Sequence, residues 1–198
     1  MNRFIANLKN VKTEIIRKPL HFLIALTPSI SAFNRPFALA LLMMGILVYM
    51  YVENLRLRGI RVPLISSLIT MASRPRDAGR FVLGPITLGL GALLVLTIFP
   101  LQAATIAIYA LAFGDGIASL LGKPFGRIRP AFMFGKSLEG SLSCFFAVFI
   151  AAWRVCHNVP ICLAAALTAM AVEALPLEDF DNIAIPLAVG FVVQILLI

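Results

Sequence analysis

The sequence predicts an all-α, polytopic membrane protein with about seven transmembrane helices, on three observations. Of its 198 residues, 61% are hydrophobic and only 13% are charged, whereas a soluble domain carries about a quarter charged residues. Several long segments are almost free of charge, and mean hydropathy is +0.97, as in chains that cross a bilayer repeatedly. Lysine and arginine also alternate sharply from one connector to the next. No connector is long enough to fold alone, and no internal repeat or low-complexity tract stands out. The expected organisation is therefore a basic N-terminal helix over residues 1–18 and one integral membrane domain over 19–198.

The first 18 residues place Phe4, Ile5, Leu8, Val11, Ile15 and Ile16 among Arg3, Lys9, Lys12, Arg17 and Lys18. That pattern suits an amphipathic helix on an anionic membrane surface, and it equally suits a plain cytoplasmic leader. Seven apolar segments follow, at 19–34, 36–52, 81–99, 101–121, 137–155, 158–176 and 181–198. Several are close to the minimum needed to span about 30 Å of hydrocarbon. The first is short and interrupted by Pro28, so a kinked or partly inserted segment is expected there. Residues 60–73 are apolar but too short to span, and read as an interfacial or re-entrant piece.

The cations set the expected orientation. The N-terminus holds five, the second connector six (Arg56, Arg58, Arg61, Arg74, Arg76, Arg80) and the fourth connector four, while the connectors between them hold Arg35, none and Arg154. By the positive-inside rule, the N-terminus and the even-numbered connectors face the cytoplasm. The net charge of +8 is then accounted for by topology and anionic lipid. A nucleic-acid partner is not required, and no aromatic–basic stacking pattern supports one. The sixth connector breaks the alternation, with Glu178, Asp179 and Asp181 and no cation.

The stretch 114–140 carries the chemistry. Asp115 lies inside an apolar run; Lys123, Arg127, Arg129 and Lys136 follow, interspersed with Gly122, Gly126 and Gly135, and Glu139 comes just after Lys136 and Ser137. Carboxylates, cations and glycines at a membrane edge suit a site that handles phosphate and metal. Asp115 and Glu173 fall within membrane segments, where an ionisable group is costly and a functional candidate by default. Four carboxylates at one depth (Asp115, Glu139, Glu173 and Asp181) would repel each other unless lysines or a divalent cation neutralised them. An oxygen-only donor set favours Mg²⁺ or a similar hard ion. The fifth helix is expected to begin at Lys136–Ser137, so its unpaired N–H groups and positive dipole end make an anion site beside the lysine.

Plainer readings stand beside these. Asp181 and Ser137 suit helix N-caps, and Arg74, Arg76 and Arg80 suit topology determinants that meet lipid head groups. His21 beside Arg17 and Lys18 suits an interfacial residue without chemistry, and Trp153 and Tyr109 suit interface anchors. Cys144, Cys156 and Cys162 have no metal-binding spacing and read as packing residues. A phosphate-binding P-loop fails: five residues, not four, separate Gly116 from Gly122, and Pro124 stands where Ser or Thr should hold the metal.

The runs GDGIASLLGKPFGR and GKSLEGS resemble the polyprenol kinase family, which includes dolichol kinase, phytol kinase and the CTP-dependent diacylglycerol kinases. Arg17-Lys18 with His21, Glu53 with Arg56, and Glu173 followed by Asp181-Asn182 and Pro186 match in order. The arginine-rich second connector has no counterpart in the resemblance. The resemblance implies an integral membrane kinase that phosphorylates a lipid alcohol (polyprenol or dolichol, phytol or diacylglycerol), generally with CTP, here at the cytoplasmic face. On this reading Asp115, Lys136 and Asp181 are catalytic, with Asp115 the preferred base for the lipid hydroxyl. Lys123, Arg127, Lys136 and Ser137 hold the nucleotide phosphates, Gly122 and Gly126 let backbone approach them, and Asn182 orients metal or nucleotide. Asp115, Glu139, Glu173 and Asp181 are the expected Mg²⁺ ligands. Two rival readings are a cytidylyltransferase acting on a phospholipid acid, with the same nucleotide and location, and a transporter using Asp115 and Glu173 as an ion relay.

Overall fold

A computed structural model describes residues 18–60 and 79–198, and among them every regular element is helical. The expected amphipathic helix over 1–17, most of the 60–73 segment, and Arg61, Arg74 and Arg76 lie outside the described residues. The helices are α1 (Thr27–Phe33), α2 (Arg35–Leu57), α3 (Gly84–Ile98), α4 (Leu101–Tyr109), α5 (Gly116–Phe125), α6 (Leu138–Cys156), α7 (Val159–Glu173) and α8 (Asp181–Leu197). A π-helical turn, Ala110–Asp115, joins α4 to α5, so the two run on as one apolar helix over Leu101–Phe125.

Among the described residues, three helices are long and apolar enough to cross a membrane: Arg35–Leu57, Leu101–Phe125 and Leu138–Cys156. Gly84–Ile98, Val159–Glu173 and Asp181–Leu197 are apolar but shorter. The segment over 19–34 is not one helix. Helical backbone over 18–24 breaks in a turn at Ala25 and Leu26 before the seven residues of α1, which rise only about 10 Å. Against the expectation of about seven spanning helices, the described residues hold three of full length and three shorter apolar ones.

Side-chain chemistry explains where helices begin. Asn34 Oδ1 accepts from Phe37 N at 2.9 Å and caps α2, and Asn158 Oδ1 accepts from Ile161 N at 3.3 Å and caps α7. Each is followed by a proline in the first turn, where the missing N–H costs nothing. Arg35 closes the other end of a neighbour, donating to the carbonyls of Leu96, Thr97 and Phe99 at the C-terminus of α3. Those carbonyls have no partner within the helix and sit at the negative end of its dipole.

The core is built around α4. Ala103, Ala104, Ile106, Ala107 and Ile108 are all fully buried, because α1, α3, α6 and α8 surround this helix. Small side chains let the backbones approach closely, as in membrane bundles. Opposite faces carry large apolar side chains outward: Leu47 and Tyr51 on α2, Phe146 and Ile150 on α6, and Phe191 and Ile195 on α8 are exposed. Glu53, fully buried, ties the end of α2 to the approach of α3. It accepts from Arg56 Nε and Nη2, both at 2.7 Å, and from Val82 N at 2.8 Å, while Arg56 Nη2 also donates to Arg80 O at 2.9 Å.

Candidate functional site

A cavity of about 340 Å³ opens at one end of the bundle, where α5 and α7 end and α6 and α8 begin. Asp115, Ser119, Gly122 and Lys123 line it from the π turn and α5; Arg129, Gly135, Lys136 and Ser137 from the following connector; Glu173, Glu178 and Asp181 from α7, the next connector and α8. Local geometry aims these groups. Ser137 accepts from Gly140 N at 3.2 Å and caps α6, so the plainer reading of Ser137 holds while the residue still borders the cavity. Asp181 is the first residue of α8 and is not its cap, a position that falls to Phe180 without a side-chain bond.

Asp115 sits at the end of the π turn, a distortion frequent at functional sites. Lys18 Nζ donates to its Oδ2 at 2.8 Å and to its main-chain O at 3.2 Å. His21 Nδ1 lies 3.4 Å from the same Oδ2. Lys18, His21 and Asp115 are all buried, and Phe22 holds the 18–24 backbone in place by stacking on Phe113. Lys18 and His21 thus join the acid of the site. Sequence reasoning assigned them no role there; their place in the matched pattern with Arg17 was the available signal.

Lys136 and Glu173 form the second charged pair. Lys136 Nζ donates to Glu173 Oε1 at 2.8 Å, and Ser141 Oγ donates to Glu173 Oε2 at 3.0 Å. Burial alone would push the Lys136 ammonium down, but the Glu173 carboxylate, with Asp115 and Asp181 behind it, holds it above its ordinary value of 10.5. Arg129, also unassigned from sequence, donates to Gly135 O at 2.6 Å and Gly122 O at 3.3 Å, which folds the connector over the mouth of the cavity.

Four of the expected site residues lie elsewhere. Glu139 accepts from Arg127 N at 2.8 Å and Ile128 N at 3.1 Å, so it staples the connector to the first turn of α6. Arg127 takes part in that staple through its backbone, and its side chain is exposed. Gly126 is a packing position: a Cβ there would lie 2.3 Å from Ser137 Oγ and 2.2 Å from Gly122 O. Asn182 is buried against α3, donating to Thr87 Oγ1 at 2.9 Å and Gly84 O at 3.3 Å.

Among the described residues, no three His, Cys, Asp or Glu side chains gather as a ready-made metal cage. Asp115, Glu173 and Asp181 nevertheless border one cavity, and their oxygens suit a hard ion. Such a donor set fits Mg²⁺ that arrives on phosphates, since that ion usually takes only one or two protein carboxylates and keeps its other ligands from water and substrate.

Fold and site together define a chain that is all-helical over its described residues, with helices long and apolar enough to cross a membrane and a charged cavity at the end of its bundle. Its sequence is weakly homologous to plant phytol kinases, the resemblance its motifs carry. It is 31% identical to phytol kinase 1, chloroplastic, of Arabidopsis thaliana, over 69% of this chain and 52% of that protein. It is 26% identical to probable phytol kinase 1, chloroplastic, of Oryza sativa subsp. japonica, over 66% of this chain and 47% of that protein. The chain spans about half the length of these curated relatives. No family model matches it, and no solved structure does.

Proposed function

We propose that the chain is a lipid-alcohol kinase that transfers the γ-phosphoryl group of CTP to the hydroxyl of a membrane lipid alcohol at the cytoplasmic face. The observation that carries this reading is the pairing of Lys136 with Glu173 beside the capped N-terminus of α6, in a cavity that Asp115 and Asp181 also line. Phosphoryl transfer asks a protein mainly for positioning and charge neutralisation, and the cavity offers both signs of charge at the edge of apolar helices. The names of the plant relatives support a phosphoryl acceptor that is an isoprenoid alcohol.

Lys136 and Lys123 bind phosphate oxygens, with the positive dipole end of α6 beside them; the N–H groups of Leu138 and Gly140 in its first turn are already bonded to Ile128 O and Ser137 Oγ. Arg129 orders the glycine-containing connector that covers them. Asp115 accepts the hydrogen bond of the lipid hydroxyl and so orients the attacking oxygen; a loose transition state demands little more of it. As the oxygen–phosphorus bond forms, the bond to the bridging oxygen of the nucleoside diphosphate breaks, and the hydroxyl proton passes to Asp115 and then to water. One or two of Asp115, Glu173 and Asp181 would hold Mg²⁺, which would neutralise phosphate charge when bound. The acceptor chain enters sideways from the bilayer while its hydroxyl stays at head-group depth.

The test is an assay of purified protein with labelled CTP and a panel of lipid alcohols. Label from the γ position is expected in the lipid. Label from the α position would make the protein a cytidylyltransferase, and no nucleotide turnover with any lipid would overturn the kinase reading in favour of transport.

A further inference from the structure

The end of the bundle away from the cavity holds a second arrangement that phosphoryl transfer does not use. Helix α6 runs 19 residues from the cavity and ends at Cys156, about 28 Å away by helical rise. His157 then adopts a left-handed backbone, with φ 49°, and Asn158 caps α7. This tight reversal brings Cys162, in the first turns of α7, back against the end of α6. The Cys156 and Cys162 sulfurs lie 3.6 Å apart, in van der Waals contact, against about 2.0 Å in a disulfide. Cys162 is fully buried and Cys156 half-buried, so one thiol is open to an oxidant and the other waits behind it. Cys144 is buried in the core.

We infer that Cys156 and Cys162 form an intramolecular disulfide that clamps the α6–α7 turn on the face opposite the cavity. The inference rests on the proposed reading for its compartment: with the cavity on the cytoplasmic side, this turn faces the side where disulfides form and persist. The oxidant is a disulfide of the thiol-oxidising class. The Cys156 thiolate attacks one of its sulfurs and releases one thiol; the Cys162 thiolate then attacks Cys156 of the mixed disulfide and releases the second. Two protein thiols are oxidised, one external disulfide is reduced to two thiols, and the protons of Cys156 and Cys162 end on those thiols. Because α6 and α7 form the most extensively packed helix pair, and their other ends carry Ser141 and Glu173, the clamp fixes the register of the paired side chains in the cavity.

The full chain, in detergent, is treated with oxidised glutathione, acid-quenched, denatured and alkylated, and its intact mass is measured. The expected result is one alkyl group, on Cys144, with the mass of the chain lower by two hydrogens, and three alkyl groups after reduction. Cys162→Ser should trap glutathione on Cys156, while Cys156→Ser should carry none and alkylate at both remaining thiols. Three alkylated thiols in the oxidised wild type, or glutathione that stays on Cys156 there, overturns the inference. The thiol count does not depend on phosphoryl transfer: a disulfide-bonded protein without kinase activity sinks only the functional reading, and an active protein with three thiols sinks only this one.

Discussion

Lys18 Nζ and Asp115 Oδ2 lie 2.8 Å apart, although the two residues are 97 positions apart in the chain. Both side chains are almost wholly buried, so each meets its counter-charge in the other. Removing one partner of a buried pair leaves an uncompensated charge and typically costs about 3–5 kcal/mol, whereas removing both can be nearly neutral. Lys18→Met should therefore destabilise the protein by that order and abolish turnover. Asp115→Asn leaves the Lys18 ammonium without its carboxylate and should be destabilised on the same scale, with activity per folded molecule down at least about a hundredfold. The double variant should regain most of the stability lost in Lys18→Met and none of the activity. Thermal unfolding and turnover of all three variants in one detergent close the cycle. Equal destabilisation by Lys18→Met in both backgrounds would show that the two residues do not act as a pair.

Two glutamates of the same expected metal set should separate. Glu173 lies in the cavity between Lys136 and Ser141, while Glu139 holds the backbone of Arg127 and Ile128. Glu173→Gln should raise the Mg²⁺ concentration needed for half-maximal activity by about tenfold or more, the scale of one lost charged contact. Glu139→Gln keeps an amide oxygen for the same N–H groups and should leave that requirement within about threefold of wild type, on the scale of a neutral hydrogen bond. Titration of activity against Mg²⁺ distinguishes them. A stronger effect from Glu139→Gln would return Glu139 to the metal site.

Neighbouring residues show how far the site is legible in sequence. Apolar runs at 101–121 and 137–155 anticipate the helices Leu101–Phe125 and Leu138–Cys156 to within a few residues, because uninterrupted hydrophobicity over that length has few other solutions. The residues of the 114–140 stretch that are spaced along helix ends also arrive together: Asp115, Gly122, Lys123, Lys136 and Ser137 all border the cavity. Rotation about a helix is harder to read. Asp181 and Asn182 differ by about 100° around α8, which turns Asp181 into the cavity and Asn182 into α3. Glu139 directly follows Leu138 in the first turn of α6 and meets the connector instead of the cavity. The Lys18–Asp115 pair was illegible for another reason: it depends on a break at Ala25–Leu26 and a π turn at Ala110–Asp115, neither of which leaves a periodic signal.

The contact between α3 and α8 yields a test of packing. Pro186 has no N–H, so the Asn182 carbonyl one turn earlier in α8 loses its helical partner. Gly91 of α3 packs there: a Cβ at that position would lie 2.0 Å from Asn182 O and 3.2 Å from Pro186 Cγ. In an open helix Gly→Ala gains about 1 kcal/mol, but here the clash is with backbone and overpacking typically costs about 1–3 kcal/mol. Gly91→Ala should thus lower the unfolding temperature. Gly45→Ala on α2, where nothing lies within 4 Å, should leave it unchanged or raise it. Stabilisation by both substitutions would mean that α3 and α8 do not approach this closely.

Lys136 tests the anion site and the charge state of the cavity together. Lys136→Met keeps the apolar stem and removes one charge-assisted phosphate contact, worth about 1.5–3 kcal/mol or roughly ten- to hundredfold in nucleotide affinity. KM for CTP should rise by that factor, with a smaller change for the lipid alcohol, whose hydroxyl arrives from the membrane side. The sign of the pH dependence follows from the raised folded-state value. A lysine held above 10.5 by Glu173 is fully charged below that pH, and its contribution to stability and binding fades only as pH rises through the higher folded value. Between about pH 6 and 9.5, log kcat/KM of wild type and Lys136→Met should therefore run parallel, displaced by a constant amount. Any alkaline limb within that range belongs to another group and should survive in the variant. A limb present in wild type and absent from Lys136→Met would show that Lys136 loses its proton there, which is incompatible with a standing ion pair to Glu173.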